Sequence, residues 1–176
     1  MRLLNTRALK LHEYWDINIP RYAILSHRWE ADEVSFQDLE ADNNTYGDGY
    51  RKIQACCKKA LCDGYDWAWI DTCCIDKTSS AELSESINSM LKWYQKAGLC
   101  YAYLSDVEGV LAEGSRSRSY PSFRDSLWFT RGWTLQELLG SREVLFLDRN
   151  WDEIGTRSDL AYQYFDGHPS HSILIA

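Results

Sequence analysis

Four short apolar runs constrain this chain more than anything else in it: Tyr22-Ala-Ile-Leu-Ser26, Tyr65-Asp-Trp-Ala-Trp-Ile70, Leu99-Cys-Tyr-Ala-Tyr-Leu104 and Val144-Leu-Phe-Leu147. Compact runs of this kind, bounded by polar residues, read as strands covered on both faces. Amphipathic segments separate them. From Gly49 to Cys62, the residues Tyr50, Ile53, Cys57, Ala60 and Leu61 fall on one helical stripe, with Asp48 placed to cap its start. A second helix runs to about Ala97 with Leu83, Ile87, Met90, Leu91 and Tyr94 on one side, opened by a capping-box pattern at Ser79 and Glu82. A third follows Gly132 and stops at Gly140. Strand alternating with helix is the rhythm of an α/β fold with a mostly parallel sheet, helices on both faces and right-handed crossovers. Ligands of such sheets bind beyond the carboxyl ends of the strands, where strand order reverses. The polar stretches Ser26–Glu33, Asp71–Ser80 and Ser105 onward all leave that edge.

The remaining segments fit around this frame. Residues 1–20 read as an N-terminal extension, with short strands at Arg2–Thr6 and Leu9–Tyr14 forming a hairpin or an edge addition. Val34–Leu39 is expected to be a short helix, Glu108–Pro121 a mobile loop, and Trp151–Asp166 a helix. Ser172–Ala176 is a last strand or part of something longer. No linker divides the sequence, so residues 1–176 are expected to form a single domain, with 150–176 as its C-terminal segment.

Net charge narrows the function. At −7 the chain is a poor match for nucleic acid, whose binding relies on neutralising phosphates. No apolar run approaches the roughly 20 residues of a membrane span, and Arg2-Leu-Leu-Asn-Thr-Arg7 lacks the apolar region of a secretory signal, so a cytoplasmic protein is expected. The six cysteines form no Cys-x-x-Cys pair and have no histidine at finger spacing. They read as buried small hydrophobes, with no metal site expected. Eight tryptophans and eleven tyrosines exceed what a core of this size needs, and ring-lined clefts suit planar ligands.

The stretch Ser126–Gly140 carries the candidate chemistry. With Thr130 capping the helix, Trp133 and Glu137 become i, i+4 neighbours on one face, while Leu135, Leu138 and Leu139 turn toward the core. A carboxylate held beside a large aromatic loses solvation, which suits a catalytic group working without a metal. The plainer alternative is an acid near a helix N-terminus, favoured by the dipole. Other candidates sit at strand exits: Ser26, His27, Arg28 and Trp29 after the first run, and Asp71 after the second. His27 can instead satisfy loop backbone, and Asp76 is expected to cap a turn. Trp29 or Trp133 can stack on a planar ring. Arg28 or Arg131 can pair with a phosphate, and Arg131 can alternatively lie over Trp133 as a structural cation–π contact. A cysteine nucleophile at Cys73 or Cys74, served by His27, is a further possibility. No Gly-x-Gly-x-x-Gly loop is present, which argues against a dehydrogenase.

Together, Tyr22-Ala-Ile-Leu-Ser-His-Arg-Trp29, Trp69-Ile-Asp-Thr-Cys-Cys-Ile-Asp-Lys77, Ala81-Glu-Leu-Ser-Glu-Ser-Ile-Asn-Ser-Met90 and Trp128-Phe-Thr-Arg-Gly-Trp-Thr-Leu-Gln-Glu-Leu138 resemble a fungal heterokaryon incompatibility (HET) domain. HET domains are related to TIR domains, so the resemblance implies a flavodoxin-like fold and a role in programmed cell death and fungal innate immunity. Some TIR domains cleave NAD with a glutamate in a Trp-Cys-x-x-Glu motif after the third strand. Trp133-Thr-Leu-Gln-Glu137 has that spacing, with Thr134 in place of the cysteine. The resemblance therefore implies Glu137 as the catalytic residue of an NAD nucleosidase. Ser26, His27, Arg28, Trp29, Asp71 and Trp133 then line the nucleotide site, with NAD as substrate and no cofactor. It also implies self-association as the activating step, or, alternatively, a non-enzymatic module that oligomerises and recruits partners.

Overall fold

The computed structural model describes residues 1–15, 18–41, 46–111 and 118–165, with side chains described as far as Ala161. The strands, in chain order, are β1 (Arg2–Asn5), β2 (Leu11–Glu13), β3 (Ala23–His27), β4 (Trp67–Trp69), β5 (Leu99–Tyr103), β6 (Val110–Leu111), β7 (Arg118–Ser119), β8 (Val144–Leu147) and β9 (Glu153–Thr156). The helices are α1 (Phe36–Glu40), α2 (Asp48–Cys62), α3 (Asp71–Cys74), α4 (Ser80–Lys96), α5 (Thr134–Gly140) and α6 (Arg157–Phe165). Two 3-10 turns, Phe123–Asp125 and Leu127–Thr130, precede α5.

The four apolar runs became β3, β4, β5 and β8, and these pair in parallel in the order β4-β3-β5-β8. Counting parallel strands along the chain, that order is second, first, third, fourth, as in flavodoxin-like sheets. Strand order reverses between β3 and β5, so the crevice expected to hold ligands lies beyond Ser26-His27 and Tyr103-Leu104. The N-terminal hairpin β1–β2 extends one edge antiparallel, with Leu4 opposite Ala68. β9 closes the other edge antiparallel to β8. β3 and β8 are buried along their whole length, covered on both faces, although β3 ends in the polar pair Ser26-His27.

Alternation along β3 reveals the two layers. Successive side chains of a strand face opposite ways. Ser26 meets α5 and the turn before it, while His27 meets the residues around α2 and α3. α4 joins α5 on the Ser26 side, where Gly140 sits against Leu91 and Tyr94, and the Tyr94 hydroxyl reaches the Leu25 carbonyl at 3.4 Å. Trp69 lies fully buried against Trp93 and Tyr94, with ring centroids 5.4 and 6.2 Å away.

Several local expectations need correction. Asp48 is the first residue of α2 rather than its cap. The freed amides of Asp48 and Gly49 donate to the Asp32 carboxylate at 2.6 and 3.1 Å instead. A carboxylate from a neighbouring loop thus does the work that a local side chain does elsewhere, and the Gly49 amide, first among its partners, holds the Asp32 carboxyl below its ordinary value. The Asp71–Ser80 stretch begins with the short helix α3. Ser79 accepts from the Glu82 amide at 3.3 Å, but the Glu82 carboxylate pairs with Arg2. The expected helix from Trp151 starts only at Arg157, because Glu153–Thr156 completes the sheet as β9. Within the expected loop Glu108–Pro121, β6 and β7 pair as a two-stranded ribbon; residues 112–117 and the expected strand at Ser172–Ala176 lie outside the described residues.

Two glycines separate backbone from side-chain crowding. A Cβ on Gly49 would lie 2.2 Å from the Asp32 carbonyl oxygen, whereas one on Gly140 would meet Leu91 Cδ1 at 3.0 Å. Gly49→Ala is expected to lose about 2–3 kcal/mol in urea unfolding, since backbone must move. Gly140→Ala is expected to cost less, about 1 kcal/mol, because Leu91 can rotate and alanine favours the helix, although Tyr94 Cβ at 3.2 Å must also give way.

Candidate functional site

Ser26, at the carboxyl end of β3, is the hinge of a buried cluster. The Trp128 indole N–H donates to its hydroxyl oxygen at 2.8 Å, and the hydroxyl donates in turn to Glu137 Oε2. Arg131 completes the arrangement with Nη1 at 2.9 Å from Oε2 and Nη2 at 3.2 Å from Oε1 of the same carboxylate. Glu137 is only 4% exposed, and the Arg131 side chain is 19% exposed. The guanidinium therefore supplies the countercharge that a desolvated carboxylate needs.

Local chemistry builds this cluster. At the exit of β5, Asp106 accepts from the Ser126 hydroxyl and the Leu127 amide, both at 2.7 Å. That fixes the 3-10 turn carrying Trp128, whose ring packs edge-on to Phe129 and Phe146 at 5.1 and 5.7 Å. Thr134 donates to the Trp128 carbonyl at 2.7 Å, joining the turn to α5. The chain reverses between them, so Trp128 and Glu137 converge with no helical spacing between them.

On the opposite face of β3 lies a second cluster. His27 Nε2 is 2.9 Å from Asp71 Oδ1, and the Trp29 indole donates to Asp71 Oδ2 at 2.8 Å. His27 Nδ1 has no hydrogen-bond partner among the described residues and lies 3.7 Å from Glu33 Oε1. Glu33 pairs with the buried Lys52, whose amine also lies 3.6 Å from Glu30. Lys77 sits over the Trp29 ring at 3.6 Å, and burial pulls its amine below the ordinary value. Burial alone would push the Asp71 carboxyl up. The His27 hydrogen bond and charge, with Lys77 and Trp29, outweigh that and hold it below the ordinary range.

The expected site residues thus divide. Ser26 and Glu137 come together; His27, Trp29 and Asp71 come together across the strand from them. Arg28 is exposed in the loop. Trp133 is the N-cap residue of α5 and 42% exposed, its carbonyl accepting from the Glu137 amide at 3.2 Å, while Trp128 supplies the indole bonded to Ser26. Thr130 donates to the Leu127 carbonyl rather than capping α5, and Arg131 pairs with Glu137. Leu138 is buried as expected, but Leu135 and Leu139 are 59% and 51% exposed. Asp76 caps its turn by accepting from the Thr78 amide at 2.9 Å. Cys73 is buried beside Cys74, and that neighbour together with burial pushes its thiol well up, a poor setting for a nucleophile. Among the described residues, no group of three His, Cys, Asp or Glu side chains is arranged to hold a metal ion. No described helix is long and apolar enough to cross a membrane. Sequence reasoning missed Glu33 and Lys52, which carried no motif signal beyond their charge.

The depressed Asp71 value fixes the sign of a pH effect. Its contribution to stability is present above the unfolded-state carboxylate value, about 4, and is lost as pH falls through the lower folded value. Urea midpoints of the parent are expected to fall steeply below about pH 4, and Asp71→Asn is expected to flatten that acid limb.

Residues 22–124 match the family described as heterokaryon incompatibility protein (HET). That segment contains Ser26, His27, Arg28, Trp29 and Asp71 but ends before Trp133 and Glu137. The chain is also 46% identical over 151 residues to the vegetative incompatibility protein HET-E-1 of Podospora anserina, a match covering 84% of this chain and 11% of that relative. This chain thus spans about a tenth of the relative's length. No solved structure matches it. A family match over more than half the chain, joined to that identity, establishes that the chain belongs to the HET family.

Proposed function

We propose that this chain is a cell-death effector domain of vegetative incompatibility that hydrolyses the N-glycosidic bond of NAD, with Glu137 as its catalytic carboxylate. The observation that carries this reading is the buried Glu137 side chain, held by Ser26 at the reversal point of a parallel sheet, where such folds bind ligands. The family membership and the name of the HET-E-1 relative support the incompatibility role. The likeness of Trp133–Glu137 to the TIR motif supports the chemistry.

One carboxylate suffices for this reaction. Ordinary glycosidases use two because the leaving oxygen must be protonated. In NAD the bond between ribose C1′ and the pyridinium nitrogen breaks with its electron pair going to nitrogen, and nicotinamide leaves neutral. Water then adds to C1′ and gives up a proton. Glu137 stabilises the positive charge developing on the ribose, and Ser26 and Trp128 fix the carboxylate's direction. Arg131 occupies Glu137 in the resting geometry, so catalysis requires the guanidinium to exchange that carboxylate for another anion. A substrate pyrophosphate is a suitable one. Domain assembly completes the site in this account.

A second reading, a non-enzymatic module that self-associates, is favoured by the exposed apolar residues Ile87 and Leu91 on α4 with Leu135 and Leu139 on α5. Purified protein, free and forced into oligomers by a fused assembly tag, separates the two when nicotinamide release from NAD is followed. Glu137→Gln is expected to lower the assembled rate at least about a hundredfold with the fold retained by circular dichroism. Equal release by parent and variant would remove Glu137 from the mechanism, and intact NAD in every assembled form would leave the module reading.

A further inference from the structure

A separate cleft opens on the α2 side of the sheet, away from Glu137. It encloses about 490 Å³ and is lined by residues from the β3 exit, the flank of α2, the end of β5 and the loop after β8. Its size falls within the roughly 300–1,000 Å³ of small-ligand sites. It also sits at the carboxyl ends of β3 and β5, the reversal point of the sheet. From this cleft we infer a nucleoside-phosphate site: a planar base lies on the outer face of the Trp151 ring, which Tyr103 backs from the other side, and the phosphate is held by Arg51 and Arg149.

Three features carry the inference. Tyr103 and Trp151 are stacked, with ring centroids 4.6 Å apart and planes at 19°, which builds an aromatic platform in the wall. Trp151 is held at φ +65°, a left-handed conformation that a bulky side chain rarely adopts. The buried Asp148 enforces it, accepting from the Asn150 and Asp152 amides at 2.8 and 3.0 Å, while the Trp151 amide donates to the Asp148 carbonyl at 2.9 Å. A loop built to keep an indole in a strained position is the kind of feature that collects at binding sites.

Charge supplies the third feature. Arg51, Lys52 and Arg149 line the cleft together with Glu30 and Asp48. Lys52 is buried and committed to Glu33. Arg51 and Arg149 are exposed, and their present partners are the exposed carboxylates of Asp48 and Glu108. Exposed pairs of this kind are weak, so a phosphate that offers bidentate acceptance can displace the carboxylates.

The test is calorimetric titration of ADP, adenosine and inorganic phosphate into the whole chain carrying Glu137→Gln, which leaves this cleft untouched. ADP is expected to bind once per chain. Arg51→Ala and Arg149→Ala, both at exposed positions that spare the fold, are each expected to weaken ADP and phosphate about tenfold and adenosine little. Trp151→Gly, which relieves the left-handed strain, is expected to weaken ADP and adenosine but not phosphate. No ADP binding at millimolar concentration, or binding indifferent to all three substitutions, would overturn the proposal. Nicotinamide release by the parent is read separately, so loss of either site leaves the other standing.

Discussion

The hydroxyl of Ser26 is the point through which the two halves of this architecture communicate. It accepts from the Trp128 indole N–H and donates its own O–H to the Glu137 carboxylate, joining the first parallel strand to the last helix before β8. Without that contact, a carboxylate 4% exposed would rest on Arg131 alone. Desolvating a carboxylate costs several kcal/mol unless its oxygens are well satisfied. Here both oxygens are engaged, by Ser26 from the end of β3 and by Arg131 from the turn that leads into α5.

β3 divides the chemistry by simple alternation. Ser26 sends its side chain to the α4–α5 layer and His27 to the α2 layer, so neighbours in sequence serve different clusters. The His27 cluster is a chain of polar side chains, Asp71, His27, Glu33, Lys52 and Glu30, that reaches from the buried strand exit to the wall of the α2-side cleft. Buried charges of this sort add little net stability. They do fix the loop after β3 and the start of α3 in one arrangement, with Trp29 tied to Asp71 and covered by Lys77.

Much of the fold was legible because a strand covered on both faces is largely apolar, as β5, β8 and the Ala23-Ile-Leu25 part of β3 are. Helix α2 announced itself by its apolar stripe, and α4 by its stripe and the Ser79 cap. The short elements were less legible. β9 is a strand because β8 offers it an edge, and nothing within Glu153-Ile-Gly-Thr156 encodes that partner. At the site, the i, i+4 relation of Trp133 and Glu137 was readable, and the Trp133 carbonyl accepts from the Glu137 amide at 3.2 Å at the start of α5. Trp128 reaches Ser26, and Arg131 reaches Glu137, through a turn whose direction is set by Asp106, twenty residues before Ser126. That is tertiary information with no local signature. Leu135 and Leu139 were assigned to the core by their chemistry, yet the short α5 presents them to solvent.

The most direct measurement of the central claim is a crystal structure of the parent chain with a carbocyclic NAD analogue that cannot be cleaved. The account predicts the ring carbon that replaces ribose C1′ within about 3.5 Å of a Glu137 carboxylate oxygen, with Arg131 turned from Glu137 to the pyrophosphate and the Ser26 contact retained. An analogue bound with the Arg131–Glu137 pair intact, its ribose carbon remote from that carboxylate, would contradict it.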